Sequence, residues 1–110
     1  MIEEIVLNYL NSKLGVPAYA EKPEEKPARY VLIEKTGGSE EDMICSATLA
    51  IQSYAESLYQ AVLLNKQVKT AMRSIVNLPE IGRSQLNSDY NFTDTTTKEY
   101  RYQAVFDLIY

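Results

Sequence analysis

The 110-residue sequence contains no histidine, a single cysteine and only four glycines, and each shortage excludes a kind of chemistry. Without histidine there is no Ser-His-Asp or Cys-His arrangement, the commonest general base at neutral pH is gone, and the usual zinc and copper ligands are missing. Cys45 can form neither an internal disulfide nor a thiolate cluster, which fits a reducing compartment. It reads as a small buried strand residue and not as a reactive thiol, because no sequence neighbour would lower its pKa. Gly37-Gly38 is followed by acidic residues instead of Lys-Ser or a helix start, so it is not a phosphate cradle. No apolar run approaches the ~18 residues that cross a bilayer, and Met1-Ile2-Glu3-Glu4 lacks the basic start of a secretion signal. The expectation is a protein without a membrane segment that stays in the compartment where it is made.

What is present describes one folded domain. Hydrophobic residues make up 45% and charged residues 24%, which leaves no room for a disordered or collagenous chain. The net charge is −4 and the pI about 4.8, the wrong sign for a protein that binds by neutralising phosphates, so specific nucleic-acid binding is not expected. No cofactor and no metal site is expected either.

The order of elements follows from hydrophobic periodicity. Ile2, Ile5, Val6, Tyr9, Leu10 and Leu14 form the stripe of an amphipathic helix ending at Gly15, with Glu3 and Glu4 at its start and Lys13 at its end to suit the helix dipole. Val16 to Glu21 reads as a short extended piece, and Pro23 to Pro27 as a surface turn. Tyr30 to Thr36 is a strand stopped by Gly37-Gly38, after which Ser39-Glu40-Glu41-Asp42 forms an acidic loop. Met43 to Ser53 alternates, with Cys45, Ala47, Leu49 and Ile51 on one face, and should pair with the preceding strand as an antiparallel hairpin. Ser57 and Gln60 have capping-box spacing and open a second helix of about five turns that ends before Pro79. Ile81 to Asn87 is a weaker strand, Asn87 to Lys98 a long polar loop, and Tyr100 to Tyr110 the clearest strand of all. On that last strand Tyr100, Tyr102, Ala104, Phe106, Leu108 and Tyr110 share the face expected in the core or towards the helices. These elements predict an α+β two-layer domain spanning residues 1 to 110. In it, a mostly antiparallel sheet of four to five strands carries two helices on one face, in the order α-β-β-β-α-β-β.

The order and spacing of several segments resemble one family. Pro17-Ala18-Tyr19-Ala20-Glu21, Pro23 to Val31 and Glu34-Lys35-Thr36-Gly37-Gly38 are followed by Gln52-Ser53-Tyr54-Ala55-Glu56-Ser57 leading into the long helix. Ser88 to Asp94 and the closing Tyr100-Arg101-Tyr102-Gln103-Ala104 come next. Together these look like the tail terminator or tail-completion family of long-tailed bacteriophages, over nearly the whole chain. The resemblance implies a non-enzymatic virion protein of phage or prophage, assembled in the bacterial cytoplasm at the head-tail junction. It implies a ring, typically hexameric, that docks on the major tail tube protein, stops tube growth and meets the head-tail connector, with DNA only as passing cargo.

Two groups of residues are candidates for contacts. Glu40, Glu41 and Asp42 are either a ring-lumen or interface loop or an ordinary solvated turn. Asp89, Tyr90, Phe92 and Asp94 in the long polar loop are a candidate tail-docking segment, with the two aromatics as amphipathic anchors or folded back on the sheet edge. The competing function is a small host or prophage regulatory or ligand-binding module with a tyrosine-lined pocket. A third and weaker one is a small enzyme using carboxylates such as Glu34 and Asp107.

Overall fold

The apolar stripe seen in the sequence forms the buried side of α1 (Ile2–Lys13), with Ile2, Val6, Tyr9 and Leu10 buried. The computed structural model describes residues 1–110. The helix stops at Lys13 because Leu14 is already extended and because Asn11 ties the helix end to the next element. The Asn11 carboxamide accepts from the Ala18 N–H at 2.9 Å and donates to the Ala18 carbonyl at 3.2 Å. Ala18–Tyr19 is β1, which lies parallel to β2 (Tyr30–Glu41) with Ala18 opposite Val31.

β2 returns as β3 (Ile44–Ala55), then come α2 (Leu58–Ser74), a 3-10 turn at Ile75–Asn77, β4 (Arg83–Asn91) and β5 (Tyr100–Ile109). The Ser57 hydroxyl accepts from the Gln60 N–H at 3.2 Å, the N-cap that the capping-box spacing requires. The five strands form one sheet in the order β1-β2-β3-β5-β4, antiparallel at every contact except β1–β2. The α+β class, the element order and the mostly antiparallel sheet are thus as the sequence predicts.

Both helices pack on the same face of the sheet, in a single cluster of 19 buried residues. Val6 and Leu10 of α1 and Leu64, Val68 and Met72 of α2 meet Val31, Ile33, Leu49, Ile51, Ala104, Phe106 and Leu108 there. Phe106 is fully buried opposite Leu49 and Leu86, and removing such a ring typically costs about 3–5 kcal/mol through lost transfer energy and the cavity left behind.

Four local expectations are corrected. β2 does not stop at Gly37. It passes through an irregularity between Lys35 and Gly37 and runs on to Glu41, so Glu40 and Glu41 are strand residues paired with Cys45 and Ile44. Thr36 is the residue skipped by the pairing, just before the Gly-Gly pair, and at Gly38 the missing side chain lets the Ser46 carbonyl of the partner strand come close. The true turn is Asp42-Met43, with φ of 50° and 67°, the double positive φ that matches the twist of a two-residue hairpin. Ser39 and Ser46 face each other across the strands with hydroxyls 2.6 Å apart, helping to hold this register.

The polar stretch after Asn87 is also largely strand. β4 continues to Asn91, so Asp89 and Tyr90 belong to it, and the connection left over is short and pinched by a bridge between Asp94 and Glu99. Cys45 is half-exposed instead of buried, because β3 at this end projects past the part of the sheet that the helices cover. Tyr100, Tyr102 and Tyr110 are likewise half-buried, and of the three only Tyr110 packs against the central cluster.

Candidate functional site

Alternation along the strands gives the sheet a second face, turned away from the helices, and its chemistry is polar and aromatic. Tyr30, Leu32 and Glu34 of β2 are in register with Tyr54, Gln52 and Ala50 of β3, and these with Arg101, Gln103 and Val105 of β5. Tyr30, Ala50, Gln52, Tyr54 and Gln103 are all buried despite facing away from the core. They are closed over by their own packing. Tyr30 and Tyr54 stack with centroids 4.6 Å apart, and Tyr19 meets the Tyr30 ring edge-on at 6.1 Å.

Hydrogen bonds run across three strands within this layer. Arg101 donates to the Tyr54 hydroxyl at 2.9 Å, which donates to Gln52 Oε1 at 2.9 Å. Gln52 Nε2 donates to Gln103 Oε1 at 2.9 Å, and Gln103 Nε2 to the Tyr90 hydroxyl at 2.5 Å. Buried amides satisfied in this way fix the register of their strands, since any slip would strand several polar groups at once. The Tyr30 hydroxyl has no partner, and burial pushes its pKa up to about 12.

A second layer of charge seals one end of this face. Lys22 reaches Glu99 at 3.0 Å with Lys26 behind it at 3.9 Å, and the Lys22 ammonium sits 5.4 Å from the Tyr54 ring centre. Glu99 is held below the usual carboxylate range by the hydrogen bond from Lys22. The proline-bounded segment before β2 is thereby tied to the β4–β5 connection.

The residues proposed for docking divide between the two faces. Asp89 is in register with Ala104 and turns towards α2, where it accepts from Lys69 at 2.7 Å and from Asn65 at 3.1 Å. Its pKa lies below the usual range mainly because of the Lys69 hydrogen bond. Tyr90 lies on the helix-free face and meets Phe92 edge-on at 6.0 Å. Both are about two-fifths exposed, with the Arg101 guanidinium 4.6 Å from the Phe92 ring centre. Asp94 is used locally, accepting from the Thr96 and Thr97 N–H groups, and these bonds lower its pKa. Of the four, only Tyr90 and Phe92 present a shared surface, and it is braced against the sheet.

The acidic group does stay together. Glu40, Glu41 and Asp42 are exposed at the end of the β2–β3 hairpin beside Met43, 94% exposed, and Ile44, 56% exposed. An apolar pair at a projecting tip was not legible from the alternation, which assigned Met43 and Ile44 to an ordinary strand. The outer edge of β2 is free over most of its length, because β1 pairs only with Val31 and Leu32. At the opposite edge of the sheet, β4 pairs on one side only.

A broad concavity lies on the helix layer. An open groove of about 1070 Å³ runs between α1 and α2, lined by apolar Leu14, Leu63, Ala71 and Leu78, by Lys13 and Lys66, and by no carboxylate. Glu34 and Asp107, the carboxylates considered for catalysis, are separated by β3. Asp107 is occupied by hydrogen bonds from Thr48 at 2.8 Å and Asn87 at 3.0 Å. The three surfaces with unspent binding capacity are therefore the hairpin tip, the sheet edges and the interhelical groove.

No protein-family model matches the chain, and no curated protein sequence matches it significantly.

Proposed function

We propose that the chain is a structural subunit of a phage tail, a closed homo-oligomeric ring that caps the tail tube, ends its polymerisation and meets the head connector. The observation that carries this reading is the β2–β3 hairpin. A 12-residue strand, paired on its outer side at two positions, ends in an exposed methionine and isoleucine. Such a hairpin is built for contact with another chain, since an unpaired edge and an apolar tip both cost free energy in isolation. The order and spacing of segments that resemble the tail terminator family support the same reading. A cap has to bind the tube as another ring would and yet offer no surface for the next, and heterologous contacts that close supply the ring itself.

Electron microscopy of particles assembled without this gene tests the proposal. The expected result is overlong or headless tails. Normal-length tails joined to heads would overturn it.

The interhelical groove favours a second reading, a small module that binds an elongated apolar ligand carrying negative charge. A single chain that remains monomeric and is stabilised by a fatty acid in thermal unfolding would favour that module over the ring.

A further inference from the structure

We infer that the β2–β3 hairpin of one copy docks into the α1/α2 groove of the next copy. The inference rests on the ring proposed above and names the contact that would close it. Met43 stands 94% exposed at φ 67°, a left-handed conformation that disfavours a side chain of this size. An apolar residue held into solvent by a disfavoured backbone is a poor arrangement for an isolated molecule and a suitable one for a knob. Its N-terminal flank is acidic: Glu40, Glu41 and Asp42 are exposed, and no basic residue occurs from Gly37 to Ser53.

The groove is the complement of that tip in both respects. It supplies apolar lining for Met43 and Ile44, and Lys13 and Lys66 for the carboxylates, with no carboxylate of its own to repel them. Opposite charges in matching places set orientation and exclude the reverse docking, while the apolar contact supplies affinity. The exposure of the tip shows that a copy does not fill its own groove. Because the hairpin extends the sheet and the groove lies in the helix layer, each copy uses two different patches. Repeated head to tail from copy to copy, this contact makes a ring when its rotation closes, whereas two copies that exchange hairpins reciprocally would stop at a dimer, which sedimentation distinguishes by mass.

Sedimentation velocity on the full-length chain, with two charge reversals, tests this. Glu40→Lys with Glu41→Lys makes the hairpin basic, and Lys13→Glu with Lys66→Glu makes the groove acidic. All four positions are exposed, and urea unfolding confirms that each variant is folded. Each variant alone should lose self-association by about tenfold or more, because like charges then meet. An equimolar mixture of the two should regain it as an alternating ring, since every hairpin again finds a groove of opposite sign. Failure of the folded variants to rescue one another overturns the inference, as does a wild-type chain that stays monomeric at millimolar concentration. A ring that survives both reversals unchanged overturns the docking contact and leaves the ring standing. Rescue by mixing, together with normal tails in the absence of the gene, leaves the contact standing and removes the tail-capping function.

Discussion

Tyr54 stacks on Tyr30 on the helix-free face of the sheet, ring centres 4.6 Å apart and planes within 5° of parallel, yet their hydroxyls have opposite fates. That of Tyr54 receives a hydrogen bond from Arg101 and gives one to Gln52, while that of Tyr30 is buried with no partner. Two chemically identical residues, opposite one another in register, should therefore respond differently to the same substitution. Tyr54→Phe should cost about 1–2 kcal/mol, because Gln52 and Arg101 lose a partner in a buried network. Tyr30→Phe should be neutral or slightly stabilising, since it removes an unsatisfied hydroxyl. Urea unfolding of the two variants checks this, and equal losses would contradict the assigned network.

The same tyrosine shapes the alkaline limit of stability. Its phenol is raised from 10.0 to about 12 in the fold by burial, so the unfolded chain ionises first. The associated stability is fully present below about pH 10 and is lost as pH rises towards about 12. The Tyr30→Phe variant should show a shallower alkaline decline than wild type in a pH series of unfolding midpoints.

The acid limit belongs in part to Asp89. Lys69 and Asn65 hold its carboxylate below the ordinary range, so the contribution is present above the unfolded value near pH 4 and lost as pH falls through the lower native one. Asp89→Asn should cost about 1 kcal/mol at neutral pH and flatten the acid limb. An unchanged acid limb would show that β4 is not held to α2 by this pair.

Adjacent glycines in β2 should behave unequally. A Cβ at Gly37 meets nothing within 4 Å, whereas one at Gly38 lies 2.9 Å from Lys35 Cε and 3.0 Å from the Ser46 carbonyl. Gly37→Ala should be neutral or stabilising by a few tenths of a kcal/mol, through lower unfolded-state entropy. Gly38→Ala should destabilise the hairpin by about 1 kcal/mol. Hydrogen exchange at the β2–β3 amides separates the two outcomes.

At the hairpin tip, stability and association should move in opposite directions. Met43→Gly relieves the positive φ and should stabilise the chain by about 1 kcal/mol. It also deletes the apolar knob and should weaken self-association in sedimentation. A gain in both would show that the tip takes no part in the interface.

The layered α+β architecture was legible because its signals are short-range. The stripe Ile2, Val6, Leu10 can bury itself only as a helix, and Ala104, Phe106, Leu108 only as a strand, whatever lies opposite. The candidate site was far less legible. Gln52 and Gln103 alternate with apolar neighbours and so read as solvent-facing, but both are buried, bonded to each other and to the hydroxyls of Tyr54 and Tyr90. Asp89 reads from the sequence as a residue of the long polar loop, but Lys69, 20 positions upstream, ties it to α2.

By itself the sequence determined the element order, the buried stripe of α1 and the central core residues of β3 and β5, and the absence of histidine chemistry, since each follows from local periodicity or from composition alone. Only the tertiary structure decided where β2 turns, that Met43 and Ile44 stand exposed among acids, and that Lys13 and Lys66 share one groove. Those depend on register and on which distant elements meet. Period-2 alternation states that a residue faces one side or the other, but a partner strand or helix elsewhere in the chain decides whether that side is covered.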